Sequence, residues 1–177
     1  MIKLILNAVI NAFFAQFSTQ MLKGKVTYKV LPNGKVVVQI PYYGVQALTE
    51  SKINALGVAI TRLFNSTTPH TTVELRLVQL QYPYLDSSIL AQYVAINAGK
   101  YNFLRMQKMT FKALRGAQLS GVKLELAGRL TTQRSIPRKT VENGHTGSFT
   151  VNKQLNSKLD FSQYASKNKL GAFTIKV

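Results

Sequence analysis

Pro32-Asn33-Gly34 is the feature that most restricts the fold of this chain. Runs that alternate in hydrophobicity flank it, in KVTYKVLPNGKVVVQIPYY, and the tripeptide supplies the positive backbone angle of a tight hairpin. Strands are expected near 25–31 and 35–42. In the following TESKINALGVAITRLFN, Thr49 can cap a helix, and Ile53, Leu56, Ile60 and Leu63 recur at helical spacing. TTVELRLVQLQYP sets Val73, Leu75 and Leu77 against Glu74, Arg76 and Val78, which is a strand pattern. Ahead of the hairpin, MIKLILNAVINAFFAQF has the early lysine and apolar run of a signal peptide. Asn7 and Asn11 oppose that reading, because residues four apart share one helix face. A helix packed on the body is expected instead, in a run too short and too polar to span a membrane. The first half therefore reads α-β-β-α-β.

Pro83 stops the last of these strands, and Asp86 can cap the next helix, SSILAQYVAINAG. A second helix is expected over about 101–116, ending near Gly116. Val122, Leu124 and Leu126 then alternate with Lys123 and Glu125, a half-buried strand. Residues 131–146, which include Pro, Asn, Gly and Thr, read as a long loop. Short strands are expected at GSFTV and GAFTIKV. The second half reads α-α-β-β-β. Together the halves predict a two-domain α+β protein, 1–82 and 83–177, divided near Tyr82–Asp86.

Charge narrows the range of partners. The chain has 23 Lys+Arg against 6 Asp+Glu, a formal charge of +17. Such an imbalance opposes compaction, so a polyanion is the expected partner, nucleic acid before membrane. Eight cations and three acids lie in residues 1–88, and fifteen and three in the remainder, so the second half is the expected contact surface. There is no cysteine, which excludes disulfides, thiolate zinc sites and cysteine nucleophiles. His70 and His145 are expected in loops, with no metal site and no cofactor.

Within YNFLRMQKMTFKALR, the cations Arg105, Lys108, Lys112 and Arg115 are spaced three, four and three. At about 100° per residue they share a stripe roughly 80° wide. Phe103, Met106, Thr110, Ala113 and Leu114 fall opposite. No acid occurs between residues 87 and 124 to relieve the repulsion, whereas a phosphate partner would. Lys123 on the following strand, and Arg129, Arg134, Arg138 and Lys139 past Gly128, continue the basic tract. Arginine fits phosphate oxygens in a bidentate way, and a glycine admits close backbone approach.

A catalytic reading finds little support. The six acids are Glu50, Glu74, Asp86, Glu125, Glu142 and Asp160, and no two lie closer than twelve residues in sequence. A two-metal nuclease needs converging carboxylates. Neither a phosphate loop nor a local Ser-His-Asp signature is present. An enzyme is not expected.

YPYLDSSILAQYVAINAGKYNFLRMQKMTFKAL followed by SGVKLELAGRL resembles the ribosomal small-subunit protein S-three family, in particular its fungal mitochondrial, variant-one branch. Phe103, Arg105 and Lys108 match the family's helix, Ala127-Gly128-Arg129-Leu130 its strand end, and Gly171 to Val177 its closing strand. The resemblance is good over roughly 82–177 and looser before. It implies a type II KH-like N-terminal half and an S-three-type C-terminal α+β domain. KH domains clamp RNA with a Gly-x-x-Gly loop. Here Gly44 has no second glycine three residues on, and Leu104 replaces the first of the family's paired arginines.

The resemblance further implies a protein in the head of the mitochondrial small subunit. Its partners would be small-subunit rRNA, messenger RNA at the messenger-RNA entry channel and neighbouring small-subunit proteins, without membrane insertion. Arg105 and Lys108 would lie nearest the incoming messenger. The missing targeting segment would suit a chain made inside the organelle, or one trimmed beforehand. Three other readings of the residues stand beside this: a stand-alone RNA- or DNA-binding factor such as a chaperone, an organellar nucleic-acid enzyme, and a basic peripheral membrane protein anchored by its first helix.

Overall fold

The computed structural model describes residues 2–16, 21–44, 49–67, 72–98, 103–114, 119–128, 141–149, 159–169 and 171–177, with the side chains of Ile2, Lys3, Ser66, Thr67, Ala113 and Leu114 excepted. The fold is α+β, and the chain divides into two compact units, Met1–Tyr82 and Pro83–Val177.

The first unit runs α1 (Ile2–Ala15), β1 (Met21–Lys23), β2 (Thr27–Val30), β3 (Lys35–Gly44), α2 (Glu50–Thr67) and β4 (Thr72–Gln79). The hairpin forms where Pro32-Asn33-Gly34 requires it. Leu31 N–H donates to Lys35 O at 2.8 Å, and Gly34 takes φ 74°. Such a three-residue loop with glycine in the left-handed region is a standard hairpin closure. The ten-residue β3 outruns the four-residue β2, and the rest of that edge is filled by β1, a strand the alternation did not predict. Gly24, between β1 and β2, donates to Pro41 O at 2.8 Å. On its other edge β3 pairs with β4 in parallel, so α2 is the crossover between them.

One face of this sheet makes the core. Val36, Val38, Ile40 and Tyr42 meet Leu6, Ile10 and Phe14 of α1 and Leu56, Ile60 and Phe64 of α2. Both helix stripes run i, i+4, i+8, so each helix buries a single face. On α2 the buried stripe ends at Phe64, while the expected Ile53 and Leu63 are only half-buried. The two asparagines that argued against a signal peptide are hydrogen-bonded. Asn7 Oδ1 accepts from Tyr28 OH, and Asn11 Oδ1 from Lys23 Nζ, which fastens α1 to β2 and β1. Burial lowers the Lys23 pKa and raises that of Tyr28.

On the opposite face of the sheet, Glu74 receives Lys35 Nζ and Arg76 Nε, each at 2.6 Å. Hydrogen bonds from Arg76 and then Lys35 pull its carboxyl from 4.5 down to about 2. A depressed folded-state pKa gives stability that is complete above the unfolded value and is lost as pH falls through the folded one. Acid titration of unfolding should therefore show a loss between about pH 4.5 and pH 2 that Glu74→Gln flattens.

The second unit begins with a 3-10 turn, Pro83–Leu85, followed by α3 (Ser87–Asn97), α4 (Phe103–Leu114), β5 (Gly121–Gly128), β6 (Val141–Gly147), β7 (Gln163–Asn168) and β8 (Gly171–Lys176). Asp86 caps α3 as expected, accepting from Ser88 N at 2.8 Å and Ile89 N at 3.1 Å. A distant carboxylate assists, since Ser87 N donates to Asp160 Oδ2 at 3.2 Å. Both negative groups lie at the positive end of the helix, where they are favoured. The sheet order is β6-β5-β8-β7, antiparallel throughout. Leu124, Leu126, Phe173 and Ile175 point from it into a core made with Leu90, Ala91, Val94 and Ala95 of α3 and Phe103 and Met106 of α4.

Three expectations are corrected here. Residues 141–146 are not loop but most of β6, and His145 lies in that strand; His70 is outside the described residues. The strand expected at GSFTV ends at Gly147, where β6 stops: Ser148 and Phe149 are not in a strand, and 150–151 are outside the described residues. Finally, β7 was not anticipated. VENGHTG and QYASKN form the two edges of the sheet, and edge strands carry little apolar alternation.

Gly128 closes β5 at φ 116°, and a Cβ there would stand 2.7 Å from Ala172 O and 2.7 Å from Phe173 Cα. The close approach that this glycine permits is to the neighbouring strand β8. Gly128→Ala should cost more than the roughly 1–2 kcal/mol of a left-handed residue, because backbone must also move. A lowered urea midpoint at unchanged m-value would report it.

Candidate nucleic-acid interface

The site is built on α4. Phe103 and Met106 are buried, Thr110 turns inward and donates to Met106 O at 2.9 Å, and Phe111 packs at the edge of the core. Gln107 lies over β6, with its amide in the space that a Cβ on Gly144 would fill. Glycine at 144 leaves that space to the Gln107 side chain.

With that face docked, Arg105, Lys108 and Lys112 are all exposed. They occupy about 60° of the helix circumference at 100° per residue. No carboxylate pairs with Lys108 or Lys112 among the described residues. Leu104 and Met109, 56% and 55% exposed, flank the cations on either side. The same periodicity that sets the stripe sets these apolar margins, and Leu104 stands where the family has an arginine.

The other predicted contacts are distributed differently. Lys123 is exposed on β5, on the sheet face turned away from Leu124 and Leu126 and therefore away from α4. There it neighbours Glu125, whose carboxyl is held below its ordinary value chiefly by the Lys176 ammonium at 2.8 Å. The structure thus groups Arg105, Lys108 and Lys112 and sets Lys123 apart. Arg115, Arg129, Arg134, Arg138 and Lys139 lie outside the described residues.

Several of the acids have structural partners. Glu74 and Glu125 hold cations, Asp86 caps α3, Asp160 accepts from Ser87 N, and Glu50 stands in the first turn of α2. Among the described residues no group of three His, Asp or Glu could hold a metal ion, and no helix is long and apolar enough to cross a membrane.

Fold and surface define a class: a two-unit α+β protein with a cationic helix face on which, among the described residues, no carboxylate pairs with Lys108 or Lys112. Comparison with known sequences makes the class specific. The family model described as mitochondrial ribosomal protein (VAR1) matches residues 21–118 and 116–177. The chain belongs to that family. It is 34% identical over 172 residues to the small ribosomal subunit protein uS3m of Mycosarcoma maydis, covering 82% of this chain and 63% of that one. It is also 26% identical over 106 residues to uS3c of Anthoceros angustus and 24% identical over 106 residues to uS3c of Physcomitrium patens. Each of these matches covers 59% of this chain and 47% of the relative. The chain thus spans about three fifths of the first relative's length and about half of the others'. Its family is one of ribosomal structural proteins rather than enzymes.

Proposed function

We propose that the chain is a structural constituent of the small subunit of the mitochondrial ribosome, binding small-subunit rRNA. The observation that carries this reading is the α4 face, with three exposed cations on a docked helix in a chain of charge +17. The mechanism is electrostatic and geometric. Cations replace counterions on phosphates, while the apolar side of the helix fixes their spacing and orientation. In this reading the first unit is a type II KH-like domain without a complete Gly-x-x-Gly clamp, and the second is the S-three-type domain. Arg105 and Lys108 face messenger RNA at the messenger-RNA entry channel in the head. Arg115, Arg129, Arg134, Arg138 and Lys139 extend the contact, and neighbouring small-subunit proteins complete it. Crosslinking in mitochondria, followed by sequencing of the attached RNA, tests the reading. Small-subunit rRNA should dominate the reads, and an even spread over unrelated transcripts would instead fit a stand-alone RNA-binding factor.

A further inference from the structure

The charge count pointed to the second half of the chain, but the sheet of the first unit has a basic face of its own. Alternation along the strands puts Val36, Val38, Ile40 and Tyr42 on the side covered by α1 and α2. The other side, read through the strand register, carries Thr27 and Lys29 of β2, Lys35, Val37 and Gln39 of β3, and Thr72, Glu74 and Arg76 of β4. Lys29, Val37 and Glu74 form one row across the strands, and Thr27, Gln39 and Arg76 the next. Thr27, Lys29, Gln39, Thr72 and Arg76 are exposed. Three of the eight cations in residues 1–88 stand on this face, with one acid.

We infer that this sheet face is a second RNA-contact surface, taking the phosphate backbone of small-subunit rRNA. The inference rests on the rRNA-binding reading above. Glu74 shapes the surface. It bridges Lys35 Nζ and Arg76 Nε, so one carboxylate restrains two long cationic side chains before any ligand arrives. Side chains already ordered lose less entropy on binding. Only the Nε donor of Arg76 is used by Glu74; the guanidinium carries further N–H groups in a fixed fork suited to phosphate oxygens. Lys29 has no partner among the described residues. Thr27, Gln39 and Thr72 lie between the cations and supply uncharged donors of the kind that contact phosphate and sugar. Net positive charge with neutral donors between the cations suits a polyphosphate. A second copy of the chain would set these cations against one another.

The test is a salt titration of the full chain on a transcript of its small-subunit rRNA, with a photo-crosslinker placed at position 29 in a parallel sample. Lys29→Gln, an exposed substitution that spares the Glu74 bridge, should lower the slope of log K against log salt by about 0.7 to 0.9. Lys29→Gln with Arg76→Gln should lower it by about twice that, and position 29 should crosslink to RNA. An unchanged slope in both variants, alongside a lowered slope in Lys108→Gln/Lys112→Gln, would overturn this surface and leave the proposed function standing. A crosslink from position 29 to a protein or a second copy would also overturn it. Unchanged slopes in both sets of variants would remove the second surface and the proposed function together.

Discussion

Changing Arg105, Lys108, Lys112 and Arg115 together to Gln is expected to lower the salt slope of RNA binding by about 3, from about 0.7 for each single-strand phosphate contact. Across a fourfold rise in salt, that difference amounts to about 50-fold in affinity. The same change should leave the free protein folded and slightly more stable. Lys108 and Lys112 are exposed like charges four residues apart, and such pairs cost a helix a few tenths of a kcal/mol each. Glutamine keeps the helix propensity of lysine and arginine. A thermal midpoint that holds or rises while the salt slope falls separates a contact surface from a merely solvated helix face. A solvated face would show the stability gain without any change in slope.

The second large effect belongs to the core that carries α4. Ile175 is 0% exposed on β8, opposite Leu126 of β5, in the cluster that includes Phe173, Val94, Phe103 and Met106. Ile175→Ala should cost about 2–5 kcal/mol, the transfer loss of the missing atoms plus the cavity they leave. Stabilities of whole domains are about 5–15 kcal/mol, so one substitution removes a large share. Because α4 is seated on this cluster, RNA affinity should fall as the second unit unfolds. Denaturant unfolding followed by circular dichroism measures the loss. A cost under about 1 kcal/mol would mean that the second unit does not depend on this core.

Most of the fold was legible where one face of an element is buried. Leu56 and Ile60 on α2, Val122 to Leu126 on β5 and the asparagines of α1 all announced their environment, because burial imposes a period on the residues. The chain was silent at the edges. β6 and β7 hold their places by backbone pairing to β5 and β8, and such pairing leaves little trace in side-chain type. Gly144 illustrates the difficulty: in VENGHTG it reads as a turn residue, yet it lies in β6 opposite Leu124, beside the Gln107 amide. β1 was hidden because it is three residues long and depends on the excess length of β3.

The helix stripe was legible for the same reason as the core, since it is the complement of a buried face. The cations of the first sheet were not, because their grouping arises from register. Lys29 and Glu74 are forty-five residues apart in the chain but both pair with Val37. Parallel pairing of β3 with β4 across α2 brings them into one row, and no local pattern encodes that.

The central claim, that the docked α4 helix presents its cations to RNA, is tested most directly by a photo-crosslinker at position 108 within assembled mitochondrial small subunits. The account predicts adducts to RNA, abolished by ribonuclease treatment before irradiation. Adducts to protein alone, or quenching by solvent with no RNA attached, would contradict it.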